Sequence, residues 1–130
     1  MNKKELTQEY KLTNRPIGIY QIRNLVNGKV FVDSSVNLTA ILNRQEFALK
    51  ANGHKNKQLQ ADWNEFGAEN FTFEILEEIV QRENLDIKAE LEFLEDLWLE
   101  KLQPFGDKGY NERKKTREER LRMIAANRKL

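Results

Sequence analysis

Apolar residues along this 130-residue chain fall into short blocks whose period changes from two to three or four, and those changes predict the elements in order. Asn2 to Leu12 carries Leu6 and Tyr10 at i, i+4 spacing, which predicts a short helix. Thr13-Asn14-Arg15-Pro16 ends it, because the residue before a proline is pushed out of the helical region. From Gly18 to Ser35 the pattern is that of a hairpin: Ile17, Ile19 and Ile22 precede Asn27-Gly28, and Val30 and Val32 follow it. Asn-Gly signals a two-residue type I′ turn, in which both positions need positive φ. Such a turn sets Val26 opposite Lys29, Asn24 opposite Phe31 and Ile22 opposite Asp33. Tyr20, Ile22, Asn24, Phe31 and Asp33 then share one face.

After the hairpin, Ser35 or Asn37 caps a helix whose stripe is Leu38, Ile41, Leu42, Ala48 and Leu49, and Asn52-Gly53 stops it. A second helix from about Lys55 to Phe66 is anchored by Leu59, Trp63 and Phe66, with Gly67 as a left-handed cap. Phe71-Thr72-Phe73-Glu74-Ile75-Leu76 alternates as a third strand. Gln81 to Gln103 contains a third core helix, broken by Pro104-Phe105-Gly106. This order packs best as a small three-stranded antiparallel sheet flanked by helices, an α+β domain. The expected organisation is an N-terminal helical extension over 1–16, the domain over 17–111 and a basic helical tail over 112–130. In that tail, Thr116-Arg117-Glu118-Glu119 fits a capping box, and Leu121, Ile124 and Ala125 give a narrow apolar stripe.

Composition narrows the chemistry. The chain has no cysteine, which excludes a disulfide framework, a thiolate zinc site and a cysteine nucleophile. His54 is the single histidine, so a His-rich metal cluster is excluded too. No apolar run approaches membrane-spanning length and the N-terminus is polar, so no membrane is expected and the cytoplasm is the expected location. Net charge is only +1, but it is divided: Phe71 to Asp107 is acidic, and the stretch from Asn111 is basic, with Arg113, Lys114, Lys115 and Arg117 among its cations. That asymmetry fits a tail facing nucleic acid, and equally a solvated helix or one docked on the acidic half.

Glu95 stands out by position. Leu91, Leu94, Trp98 and Leu102 form the apolar face of the third helix, and Glu95 sits within it, whereas Glu92, Asp96 and Glu100 point to water. A carboxylate among large apolar side chains is costly unless paired, protonated or metal-bound. It is therefore either an edge position reaching solvent or an arginine, or a ligand for a hard cation such as Mg²⁺ or Mn²⁺.

Gly18-Ile19-Tyr20, a short hairpin, then Phe31-Val32-Asp33-Ser34-Ser35 resembles the GIY-YIG nucleases. Four further stretches resemble the family in order: Asn56-Lys57-Gln58-Leu59-Gln60 through Gly67, Asn70 through Glu78, Leu94-Glu95-Asp96-Leu97-Trp98, and Gly109-Tyr110-Asn111. The resemblance implies a GIY-YIG fold over roughly 17–111 and phosphodiester hydrolysis of nucleic acid with Mg²⁺ or Mn²⁺, without a small-molecule cofactor. It implies that Tyr20 helps activate the attacking water, Glu95 holds the metal, Asn111 helps position the scissile phosphate, and His54 matches a histidine found between the two helices of some members.

The same comparison marks departures. Phe31 stands at the second motif tyrosine and removes its hydroxyl. Ile41 stands at the family arginine, and Gln45 where a histidine is common. Asp33 replaces the motif glycine, to repel a phosphate or to serve as a second metal ligand. Loss of a preorganised charge of this kind costs about 10²–10⁵ in rate. Arg44, one turn beyond Ile41, is the candidate replacement. Three functions follow. One is a metal-dependent endonuclease with a modified constellation. Another is a nuclease fold that binds nucleic acid through Arg44, Lys50, Lys55, Lys57 and the basic tail without efficient cutting. The last is a protein-interaction module.

Overall fold

In a computed structural model the described residues are 15–113, together with 121, 122 and 125. The helix expected over 2–12, the capping box at Thr116, and Lys114, Lys115 and Arg117 lie outside them.

Chain order gives β1 (Gly18–Asn24), β2 (Val30–Ser35), α1 (Leu38–Lys50), α2 (Lys57–Phe66), β3 (Phe71–Glu78) and α3 (Ile87–Leu102). The strands form an antiparallel sheet in the order β2-β1-β3. Alternation along β1 decides the packing on both sides. Ile17 and Ile19, with Val30 and Val32, turn to one face and meet Leu91, Leu94 and Leu99 of α3. Tyr20 and Ile22 turn to the other and meet Leu38, Leu49, Leu59, Trp63 and Tyr110. The expected α+β domain, a small sheet between helices, is borne out.

The hairpin register differs from the expected one by two residues. Tyr20 pairs with Asp33 and Ile22 with Phe31, and Asn24 N–H donates to the Lys29 carbonyl at 2.9 Å. The connection is thus a four-residue turn, Leu25 to Gly28, closed by Gly28 N–H donating to the Asn24 carbonyl at 2.9 Å. Only Gly28 takes positive φ there (78°). The cause is Asn24, whose buried side chain accepts from Val26 N–H (2.9 Å) and holds the chain out of the tighter turn. A shift of two preserves parity, so the five side chains expected on one face remain on it.

Other boundaries follow their caps. Asn37 Oδ1 accepts from Ala40 N–H and caps α1, while Ser35 Oγ accepts from Asn37 N–H. Asn56 caps α2, so the helix begins at Lys57 and not Lys55. Gly67 ends α2 with φ 91° and ψ 151°, outside the left-handed helical region, and a short 3₁₀ turn leads into β3. Asp86 caps α3, and β3 runs on to Glu78 past an irregularity opposite Ile19 and Tyr20. At that irregularity a Cβ on Gly18 would lie 1.9 Å from the Glu77 carbonyl oxygen, so the first residue of the Gly-Ile-Tyr motif is held to glycine by β3.

Candidate active site

A cleft of about 830 Å³ opens beside the β2 edge of the sheet, between α1, the start of α2 and the segment after α3. Phe31 and Asp33 reach it from β2, and Ile41, Arg44 and Gln45 from α1. His54, Lys55 and Lys57 line it around the α1–α2 loop, and Asn111 closes one side. The side chain at the family's arginine position and its proposed replacement therefore border the same space. Arg44 is exposed and makes no hydrogen bond or ion pair among the described residues. Lys50, by contrast, pairs with Glu46 at 2.7 Å and does not line the cleft. Arg113 stacks its guanidinium over the Phe105 ring, 4.6 Å from the centroid.

A chain of hydrogen bonds runs beneath the cleft. Asn56 N–H donates to His54 Nδ1 at 3.0 Å, and His54 Nε2 bonds Gln45 Oε1. Gln45 Nε2 donates to the Tyr20 hydroxyl at 3.2 Å, which donates onward to Asp33 Oδ2 at 3.5 Å. His54 also stands edge-on to Phe31, with ring centroids 5.9 Å apart. Burial lowers the His54 pKa and so favours the neutral ring. Tyr20 is wholly buried. Its pKa stands well above the usual tyrosine value, first because of burial and then because of the Asp33 charge, with a smaller contribution from Glu95.

Glu95 is half-buried on α3 and makes its field felt at Tyr20. It does not line the cleft itself. Among the described residues no three His, Cys, Asp or Glu side chains gather into a metal cage. The chemistry of the donors nevertheless suits a hard divalent cation, which takes one or two carboxylates and fills its remaining positions with water and phosphate oxygens.

Asn111 is placed at the cleft but is engaged elsewhere. Its Oδ1 accepts from Val32 N–H (2.9 Å) and its Nδ2 donates to the Val32 carbonyl (2.7 Å), so the side chain pairs with β2 as another strand would. Tyr110 N–H donates to the Val30 carbonyl in the same strap. Two contributors were not singled out by sequence reasoning. Asn56 caps α2, fixes His54, and donates to the Tyr110 carbonyl at 2.6 Å. Asn24 donates to the Tyr110 hydroxyl, which donates to Asp62 at 2.6 Å. An asparagine just before a helix is a readable cap signal; a buried asparagine in a strand is not.

No protein-family model and no curated protein matches the chain. Among solved structures it is similar to the catalytic domain of the homing endonuclease I-TevI. Identity is 31%, covering 75% of this chain and 99% of that domain, with a TM-score of 0.63. A variant of the same domain with a glutamate replaced by alanine matches with 31% identity over 78% of this chain and 97% of its own, again with a TM-score of 0.63. Identity at that level over nearly the whole of a catalytic domain, with the folds superposing at a TM-score of 0.63, means that this chain belongs to the GIY-YIG nuclease family.

Proposed function

We propose that the domain hydrolyses phosphodiester bonds of nucleic acid at this cleft, with Arg44 in place of the family arginine and with Glu95, outside the cleft lining, as the residue that would hold a divalent cation. The observation that carries the reading is the position of Arg44. It lies one helical turn from Ile41, borders the same cleft, and has its guanidinium uncommitted among the described residues. Lys55 and Lys57 add positive charge along the rim, where a phosphate backbone would track. Arg113, Lys114, Lys115 and Arg117 would extend that contact through the 112–130 tail, and Lys50 contributes least because Glu46 neutralises it. When bound, Mg²⁺ or Mn²⁺ supplies Lewis-acid activation of water and neutralises charge on the phosphate. Tyr20 and His54 belong to the site through the hydrogen-bonded chain, and Asn111 through the shape of the cleft wall. A nucleic-acid substrate agrees with the cytoplasmic location expected from the sequence, and no helix among the described residues is long and apolar enough to cross a membrane.

A second reading, nucleic-acid binding without cutting, is favoured by the fully buried and doubly engaged Tyr20 hydroxyl. A cleavage assay on supercoiled plasmid and on single-stranded DNA and RNA, with Mg²⁺ or Mn²⁺, separates the two. Cutting that disappears in Glu95→Ala and falls about 10²–10⁵-fold in Arg44→Ala is the expected result. Salt-sensitive binding without cutting by the unaltered protein would establish the second reading instead.

A further inference from the structure

The hydrogen bonds around Tyr20 run in one direction. Because His54 Nδ1 accepts from Asn56 N–H (3.0 Å), the neutral ring carries its proton on Nε2 and gives it to Gln45 Oε1. The Gln45 amide is thereby oriented with its Nε2 toward the Tyr20 oxygen (3.2 Å). A hydroxyl that receives a donor on this side directs its own proton away, and here it goes to Asp33 Oδ2 at 3.5 Å. The chain thus ends on a carboxylate. Tyr20 is fully buried, whereas Asp33 is part-exposed and lines the cleft.

We infer that Asp33, which stands where the family motif has glycine, is the proton acceptor for the attacking water, and that Tyr20 is a positioning residue that orients it. The inference rests on the hydrolytic reading above. One Asp33 oxygen accepts from Ser34 N–H (2.8 Å) and the other from Tyr20, so the group is held in place while each oxygen keeps a further lone pair. In the step, a water O–H bond breaks and its proton passes to Asp33 while the water oxygen bonds to phosphorus. The bond from phosphorus to the leaving oxygen then breaks with its electron pair, and that oxygen takes a proton from solvent. Arg44 from α1, His54 and Lys55 from the following loop, Lys57 from α2 and Glu112 from the segment after α3 face the same cleft, and the Glu95 charge on α3 reaches Tyr20. Arg44, Lys55 and Lys57 offset the Asp33 charge, so it does not by itself exclude a phosphate.

Single-turnover cleavage in Mn²⁺ tests this with unaltered protein, Asp33→Asn, Asp33→Gly and Tyr20→Phe. The affinity for nucleic acid and the Mn²⁺ midpoint are measured on each, and thermal melting confirms folding. Both Asp33 variants are expected to lose about 10²–10⁴-fold in rate with affinity and midpoint unchanged. Added acetate or formate should restore part of the rate in Asp33→Gly, and Tyr20→Phe should lose less than either. Asp33 variants that cut as fast or faster overturn the inference and make the carboxylate a mere repulsive charge. A raised Mn²⁺ midpoint with the rate recovered at saturation makes Asp33 a metal ligand and also overturns it. A Tyr20→Phe loss equal to that of Asp33→Asn returns the role to the tyrosine. Unaltered protein that does not cut overturns the hydrolytic reading and this inference together. Cutting by Asp33→Asn at the rate of the unaltered protein overturns this inference alone.

Discussion

At the scale of single residues, His54 connects the site to stability. Its folded-state pKa is lowered by burial, so as pH falls below the ordinary histidine value of about 6.5 the unfolded chain takes up a proton that the folded one refuses. The contribution is fully present above that pH, declines below it, and levels off once the folded ring also protonates. Urea midpoints at pH 7.5 and 5.5 should therefore differ more for the unaltered protein than for His54→Gln. An equal change in both would refute this. Tyr20 and Glu95 could be picked from the sequence because each fills a motif position, and Arg44 because it lies one helical turn from Ile41. The bonds of Gln45 to Tyr20 and of Asn56 to His54 could not. Gln45 finds Tyr20 across 25 residues of chain, and an amide's partner is set by tertiary contacts that no spacing rule reports.

At the scale of elements, period and punctuation carried the order of strands and helices, while registers escaped them. Asn27-Gly28 is a local signal, but the turn answers to Asn24, whose side chain reaches the Tyr110 hydroxyl 86 residues away at 3.1 Å. The same is true of the β2 edge, which is satisfied by an asparagine side chain from beyond α3. Asn111→Ala should leave the Val32 N–H and carbonyl without those partners and lower stability by about 1–3 kcal/mol in denaturant unfolding. A residue serving only to hold a phosphate would leave the unfolding midpoint in place, so an unchanged midpoint would return Asn111 to that role.

At the scale of the whole molecule, near-neutrality conceals a cleft bordered by Arg44, Lys55 and Lys57. If these contact phosphates, log affinity should fall linearly with log salt. Arg44→Ala or Lys57→Ala should each reduce the slope by about 0.7–0.9, and Lys50→Ala, whose partner is Glu46, by less. Equal slopes for all four proteins would place the nucleic acid elsewhere. The Asn111 strap has a separate consequence. Because Asn111 is fastened to Val32 and both it and Glu112 border the cleft, the chain just beyond α3 forms part of the cleft wall. The residue that seals the sheet edge is thus also a surface that a bound strand would press on, and loosening one loosens the other.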